Sequence, residues 1–180
     1  NKIILSKAKE LQKLISQLLT LARIGEQRES MVLEEINLKD ILKNIAQEAE
    51  EWAKEKNISI TTELNDCTAK VDLMMFTRMM VNLLDNAVNY SDNGSKVSIH
   101  LICQNNNAVI TVTDNGQGIS KDDLPHIFER FYRADKSRTD RNSGLGLSYV
   151  DMIVKLHQGT VSVNSEKGKV TTCTISLPLD

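Results

Sequence analysis

Asn82, Asp85, Asn86 and Asn89 fall on one side of a segment whose other side is apolar: Phe76, Met80, Leu83, Leu84 and Ala87. Spacings of three and four residues are helical, so the apolar positions turn to a core and the polar ones share the opposite face. Asparagine is a mediocre helix former, and a merely solvated face would more naturally carry Glu, Lys or Gln. An amide oxygen can instead bind a hard cation such as magnesium, which keeps waters and substrate phosphates as its other ligands. On this helix alone the solvated face and the cation site stand level.

Three further segments could carry chemistry. Asp114-Asn115-Gly116-Gln117-Gly118-Ile119 follows an alternating, strand-like run. Its carboxylate can accept a hydrogen bond from the exocyclic amine of a base, and its glycines let backbone approach a flat ring. Taken alone it is equally an ordinary turn sequence. Gly144-Leu145-Gly146-Leu147 opens another helical pattern, and a glycine-bearing helix N-terminus offers free N–H groups and a positive dipole to phosphate. Just before it, Arg133, Lys136, Arg138 and Arg141 surround Asp135 and Asp140 with no apolar anchor. That composition suits a mobile lid over phosphates or a solvated surface loop.

Order and combination are more specific than any one segment. Asn82-Leu-Leu-Asp-Asn86-Ala-Val-Asn-Tyr90-Ser, Asp114 to Ile119, Ile127-Phe-Glu-Arg-Phe-Tyr-Arg133 and Gly144 to Leu147 resemble, in sequence, the N, G1, F and G2 boxes of sensor histidine kinases. The resemblance covers nearly the whole chain. It implies an ATP and magnesium site in which Asn86 ligates the metal, Asp114 reads the adenine amine, and Tyr90 and Ile119 flank the base. The implied nucleotide-binding set also holds Asn82, Asn89, Gly116, Gly118, Lys136, Gly144, Leu145, Gly146 and Leu147. Arg133 matches an arginine near the terminal phosphate, where it would stabilise charge developing in transfer. Phe128 and Phe131 match aromatics that anchor the near end of the lid, and Gly144 and Gly146 hold its far end.

Three positions depart from the family pattern. Asn142 replaces the first glycine of the G2 box, and Val170 replaces a common glycine after Gly168. Asn89 stands where a Lys or Arg commonly reaches phosphate, a task open here to Lys136, Arg138 or Arg141. The same ATP-binding fold is shared by gyrase, mismatch-repair ATPases and heat-shock chaperones, so fold alone does not fix the reaction. Those ATPases place a Glu one helical turn before the magnesium-binding Asn, where it activates water. Here that place is Asn82, a poor base. The resemblance therefore implies transfer of the γ-phosphate to a histidine of a dimerisation domain, then relay to a response regulator. An ATP-driven conformational ATPase or a non-catalytic nucleotide-sensing module are the alternatives. It also implies a homodimeric, membrane-anchored bacterial sensor whose kinase part is cytoplasmic. His100, His126 and His157 are read as structural, His157 ending a helix where positive charge would favour the dipole. The family's acceptor segment does not occur among these residues, so the fragment is not expected to phosphorylate itself.

The elements that must position these groups follow from periodicity. Ile4, Ala8, Leu11, Ile15, Leu18 and Ala22 form a heptad seam that asks for partner helices. The resemblance assigns residues 1–27 to the second helix of the dimerisation and phosphotransfer hairpin and 28–180 to the catalytic ATP-binding domain. A short strand from Met31 to Ile36 precedes Asn37, a good N-cap, and an amphipathic helix through Trp52. Strand 58–64, a helix from about Leu73 to Tyr90, a hairpin of Val97 to Leu101 with Val109 to Thr113, a short aromatic helix Pro125 to Arg133, helix Leu145 to His157, and strands Val161 to Asn164 and Thr171 to Leu177 complete the prediction. This is an α+β fold, a two-layer sandwich of helices over one face of a mixed, mostly antiparallel sheet.

With 180 residues, 41% hydrophobic, one sizeable core plus an appended helix is expected. A formal charge of −2 spread over both signs lacks the basic excess of a nucleic-acid binder. No apolar run reaches bilayer length, and the first residues lack a leader's pattern, so this segment is expected to be soluble and without a membrane span. Cys67, Cys103 and Cys173 show no metal-ligand spacing and are read as separate thiols in a reducing compartment.

Overall fold

The computed structural model describes residues 31–134 and 144–179. The predicted seam at 4–22, Lys136 and Asn142 lie outside them. Strand β1 (Glu34–Asn37) leads into helix α1 (Leu38–Ala53). Asn37 caps this helix, its side chain accepting from the Lys39 N–H at 3.0 Å, as an N-cap should. Strands β2 (Ser59–Leu64) and β3 (Thr68–Val71) precede helix α2 (Leu73–Tyr90). The sequence reading missed β3, which is four residues long and pairs antiparallel with β1 in a sheet of its own. Asp72 caps α2 by accepting from Met75 N–H at 3.0 Å.

The main sheet has the order β2-β4-β5-β7-β6, with β4 (Lys96–Gln104), β5 (Asn107–Asp114), β6 (Thr160–Ser165) and β7 (Thr171–Pro178). Only the β2–β4 pair is parallel. Burial alternates along β5, with Ala108, Ile110, Val112 and Asp114 buried and their neighbours half-exposed. Period-two burial means that one face of the sheet meets the core. Helices α1, α2 and α3 (Gly146–Leu156) complete that core around Phe76, Leu84, Ile99 and Ile153. The predicted α+β sandwich is the observed one.

Three sequence expectations change. Residues 125–133 do not form an aromatic helix: a single 3₁₀ turn spans Leu124–His126. Phe131 takes a left-handed φ of 64°, which no helix continues through. Cys67 and Cys103 are not separate thiols but a disulfide, and only Cys173 remains free and buried. The parallel register that pairs Leu64 with Leu101 carries the two positions side by side, a proximity invisible at a separation of 36 residues. Closing a loop of that length restricts the unfolded chain by an amount worth about 3–4 kcal/mol. Reduction, or Cys67→Ser, should therefore lower the urea midpoint without changing the far-ultraviolet spectrum.

His157 is the third correction. Its ring is buried, its Nδ1–H donates to the Ile153 carbonyl at 2.8 Å, and its Nε2 accepts from the Asp72 N–H at 3.0 Å. Burial holds its pKa below the usual imidazole value. It ties the end of α3 to the start of α2 as a neutral ring, not as a cation on a helix dipole.

Candidate active site

Because Asp72 starts α2 and Ser91 ends it in extended backbone, the asparagine face runs to the helix's last turn. Along it the amides behave differently. The Asn82 Nδ2 donates to the Arg78 carbonyl at 2.8 Å, and the Asn89 Nδ2 donates to the Asp85 carboxylate at 3.0 Å. Asn86 faces a cavity, together with Tyr90 from the same helix.

Asp114 ends β5 on its inward, buried side. One carboxylate oxygen accepts the Gly116 N–H at 3.0 Å. Burial pushes its pKa up to about 6, opposed by that hydrogen bond. The following loop is stitched on two sides. Gln117 N–H donates to the Tyr90 carbonyl at 3.3 Å, and the Gln117 carbonyl accepts from Gly168 N–H at 2.7 Å. Ile119 N–H donates to Ser165 Oγ at 3.0 Å. Gly118 sits at φ 66° with the Glu166 carbonyl where a β-carbon would stand. Gly118→Ala should thus combine left-handed strain with a backbone clash and cost about 2–4 kcal/mol in urea unfolding.

The 3₁₀ turn and the segment after it bring Ile127, Tyr132 and Arg133 to the same cavity. Phe131 N–H donates to the Gly144 carbonyl at 2.9 Å, so the two flanks of residues 135–143 meet. Phe131 itself is 56% exposed. Gly144 packs on Phe131 and Tyr132, Leu145 is buried, and Gly146 opens α3. A β-carbon on Gly146 would lie 3.2 Å from Asn86 Nδ2 and 3.8 Å from Asn82 Oδ1. This close approach puts the uncapped start of α3 against the two amides.

One open cleft thus gathers Asn86, Tyr90, Asp114, Gly118, Ile119, Arg133 and Leu147. Asn82, Gly116, Gly144, Leu145 and Gly146 do not line it: Asn82 and Gly146 adjoin Asn86, Gly144 packs on Phe131 and Tyr132, Leu145 is in the core, and Gly116 lies against Asp114 and the Tyr90 carbonyl. Asn89 is turned to Asp85 and does not line the cleft. The sequence reading missed its apolar walls, Leu83, Val112, Val163 and Cys173. The alternation that places Asp114 inward also places Val112 inward, so that signal was available. Cys173 is an inert wall: burial, chiefly, pushes its thiol up to about 12.

Residues 71–180 match the family model described as histidine kinase-, DNA gyrase B- and HSP90-like ATPase. The chain belongs to this family. As a member of it, the chain is 32% identical over 181 residues to the sensor histidine kinase YclK of Bacillus subtilis (strain 168), which covers 98% of the chain and 38% of that protein. It is 34% identical over 175 residues to the sensor histidine kinase RppB of Synechocystis sp., with 95% and 38% covered. The chain therefore spans well under half the length of these curated relatives. Among solved structures, the Acinetobacter baumannii histidine kinase AdeS superposes with a TM-score of 0.81 at 23% identity, over 99% of this chain and 83% of that one. The mycobacterial sensor histidine kinase MprB gives 0.72 at 26% identity, over 82% and 97%. Full-length ShkA in complex with AMPPNP gives 0.86 at 24% identity, over 96% and 36%.

This family member is a catalytic ATP-binding domain of the sensor histidine kinase type. No helix among its described residues is long and apolar enough to cross a membrane.

Proposed function

We propose that the chain is the nucleotide-holding core of a two-component sensor kinase that passes the γ-phosphate of ATP to a histidine on its dimerisation domain. An imidazole nitrogen bonds to the γ-phosphorus as the bridging bond to ADP breaks, and ADP leaves with that electron pair. The phosphohistidine would then serve a response regulator. Residues 1–27 would belong to the dimerisation hairpin, and the whole protein would be a homodimeric, membrane-anchored sensor with this domain in the cytoplasm.

The observation that carries this reading is the meeting of Asn86, Asp114 and the start of α3 at one cleft, with the neutral amide of Asn82 beside it. In this reading Asp114 accepts from the adenine amine, and Tyr90 and Ile119 hold the ring. The first turn of α3 faces the phosphates with free N–H groups. Arg133, at the cleft, would stabilise the charge of the transferring group. A divalent cation fits the donor set: Asn86 offers one amide oxygen, and magnesium takes few protein ligands and keeps water and phosphate for the rest. When bound, it would neutralise phosphate charge.

Asn82 is the feature that favours transfer over hydrolysis, because an amide cannot take a proton from water. None of the histidines in the described residues suits an acceptor's place on a hairpin helix: His157 is buried, His100 lies within strand β4, and His126 ends the single 3₁₀ turn Leu124–His126. The test is incubation with γ-labelled ATP, alone and with a separately produced hairpin carrying the family's acceptor histidine. Label should appear on the hairpin and not on this chain. Steady ADP release without the hairpin would favour an ATPase, and an unlabelled hairpin with bound ATP would favour a nucleotide-sensing module.

A further inference from the structure

Helix α2 is held at both ends by side chains from elsewhere in the chain. His157 holds the N-terminal end through Asp72. At the C-terminal end stands Lys56, half-buried in the 3₁₀ turn Lys54–Lys56 that follows α1. Its ammonium donates to the carbonyls of Val88 at 3.0 Å, Asn89 at 2.7 Å and Ser91 at 3.4 Å. The last carbonyls of a helix lack intrahelical donors and carry partial negative charge, so a cation there satisfies both needs. The Lys56 carbonyl also accepts from Gly94 N–H at 2.9 Å. The same residue therefore grips both sides of the turn between α2 and β4.

The clamped turn is also a wall of the cleft. Tyr90 lies between two of the gripped carbonyls, and its own carbonyl accepts from Gln117 N–H at 3.3 Å. Ser91 forms an isolated bridge with Gly116. The end of α2 is thus a joint, with Lys56 attached to one strip of backbone and the Asp114–Gly118 segment to another.

We propose that Lys56 is a positioning residue for nucleotide binding: by fixing the last turn of α2 it sets Tyr90 and the Asp114–Gly118 segment in register with Asn86. It touches no ligand and acts through these groups. The proposal rests on the nucleotide-site reading above.

The experiment compares Lys56→Met, Lys56→Arg and His157→Leu in the full 180-residue chain, measuring melting temperature and ADP affinity by calorimetry at a temperature where each is folded. Losing either clamp should lower the melting temperature. Only Lys56→Met should also weaken ADP, by about tenfold, the order of one charge-assisted hydrogen bond. Lys56→Arg should recover most of that affinity, since a long cation still reaches the carbonyls. Should Lys56→Met not fold, Lys56→Gln, whose amide serves a single carbonyl, should show an intermediate loss. Unchanged ADP affinity in Lys56→Met, or in Lys56→Gln if only that variant folds, would make Lys56 a structural cap and overturn the proposal. An equal affinity loss in His157→Leu would do the same by assigning the effect to general loosening of α2. If the unmodified chain fails to bind ADP, the nucleotide-site reading itself falls, a result distinct from both.

Discussion

Asp114→Ala should weaken ATP binding on the order of 100-fold and erase the preference for ATP over GTP, because it removes a buried, charged acceptor worth up to about 3 kcal/mol. The carboxylate is placed for this by alternation along β5 and by the Gly116 N–H, which occupies one oxygen at 3.0 Å. GTP carries a carbonyl where ATP carries the amine, so the unmodified site rejects it by facing acceptor to acceptor. Titration of both nucleotides against both chains reads the effect directly, and retained selectivity in Asp114→Ala would assign base recognition elsewhere. The site also predicts a pH signature. Burial raises this carboxyl from 3.8 to about 6, so the folded chain holds the proton more tightly than the unfolded chain. Its contribution to stability is therefore greatest at low pH and is lost as pH rises from about 4 to about 6. Binding needs the ionised acceptor and runs the other way. ATP affinity should rise about tenfold per pH unit up to about 6 and level off above it, and Asp114→Asn should flatten that dependence.

Asn86→Ala should remove the magnesium dependence of nucleotide binding and lower phosphoryl transfer to an added hairpin on the order of 100-fold, the scale of one lost electrostatic contact to the reacting group. Affinity measured in chelator should change little, and the melting temperature of the nucleotide-free chain should hold, since Asn86 is only half-buried. That pairing separates a metal ligand from a packing residue. Asn82→Ala is the comparison. Asn82 does not line the cleft that Asn86 faces, so its loss should leave the magnesium dependence in place. If both variants lost magnesium dependence equally, the asparagine face would act as a unit and the assignment to Asn86 would fail.

Much of this was legible in the chain because local rules agreed with the fold. The bounds of α2, Leu73–Tyr90, follow the apolar stripe from Phe76 to Ala87, and β5 alternates as its sequence does. Asn37 capped the helix that its residue type suggested. The failures have local causes too. Between Pro125 and Arg133 aromatic content looked helical, yet Ser120 and Asp123 hold a tight turn through the Asp123 N–H, which donates to Ser120 Oγ at 3.1 Å, and Tyr132 bonds Asp123 at 2.6 Å. Strand β3 is too short to announce itself and exists by pairing with β1.

What residue types and order decided is the chemistry on offer: an amide face, a carboxylate in a glycine-bearing turn, an arginine, and a glycine-opened helix, arranged as in this family. Convergence was beyond their reach, because Asn86, Asp114 and Gly146 meet only once β5 lies against α2 and α3 runs back along it. Tertiary structure alone also joined Cys67 to Cys103 and neutralised His157 by burying it. Each depends on which distant atoms supply partners and exclude water, and a linear pattern carries no record of either.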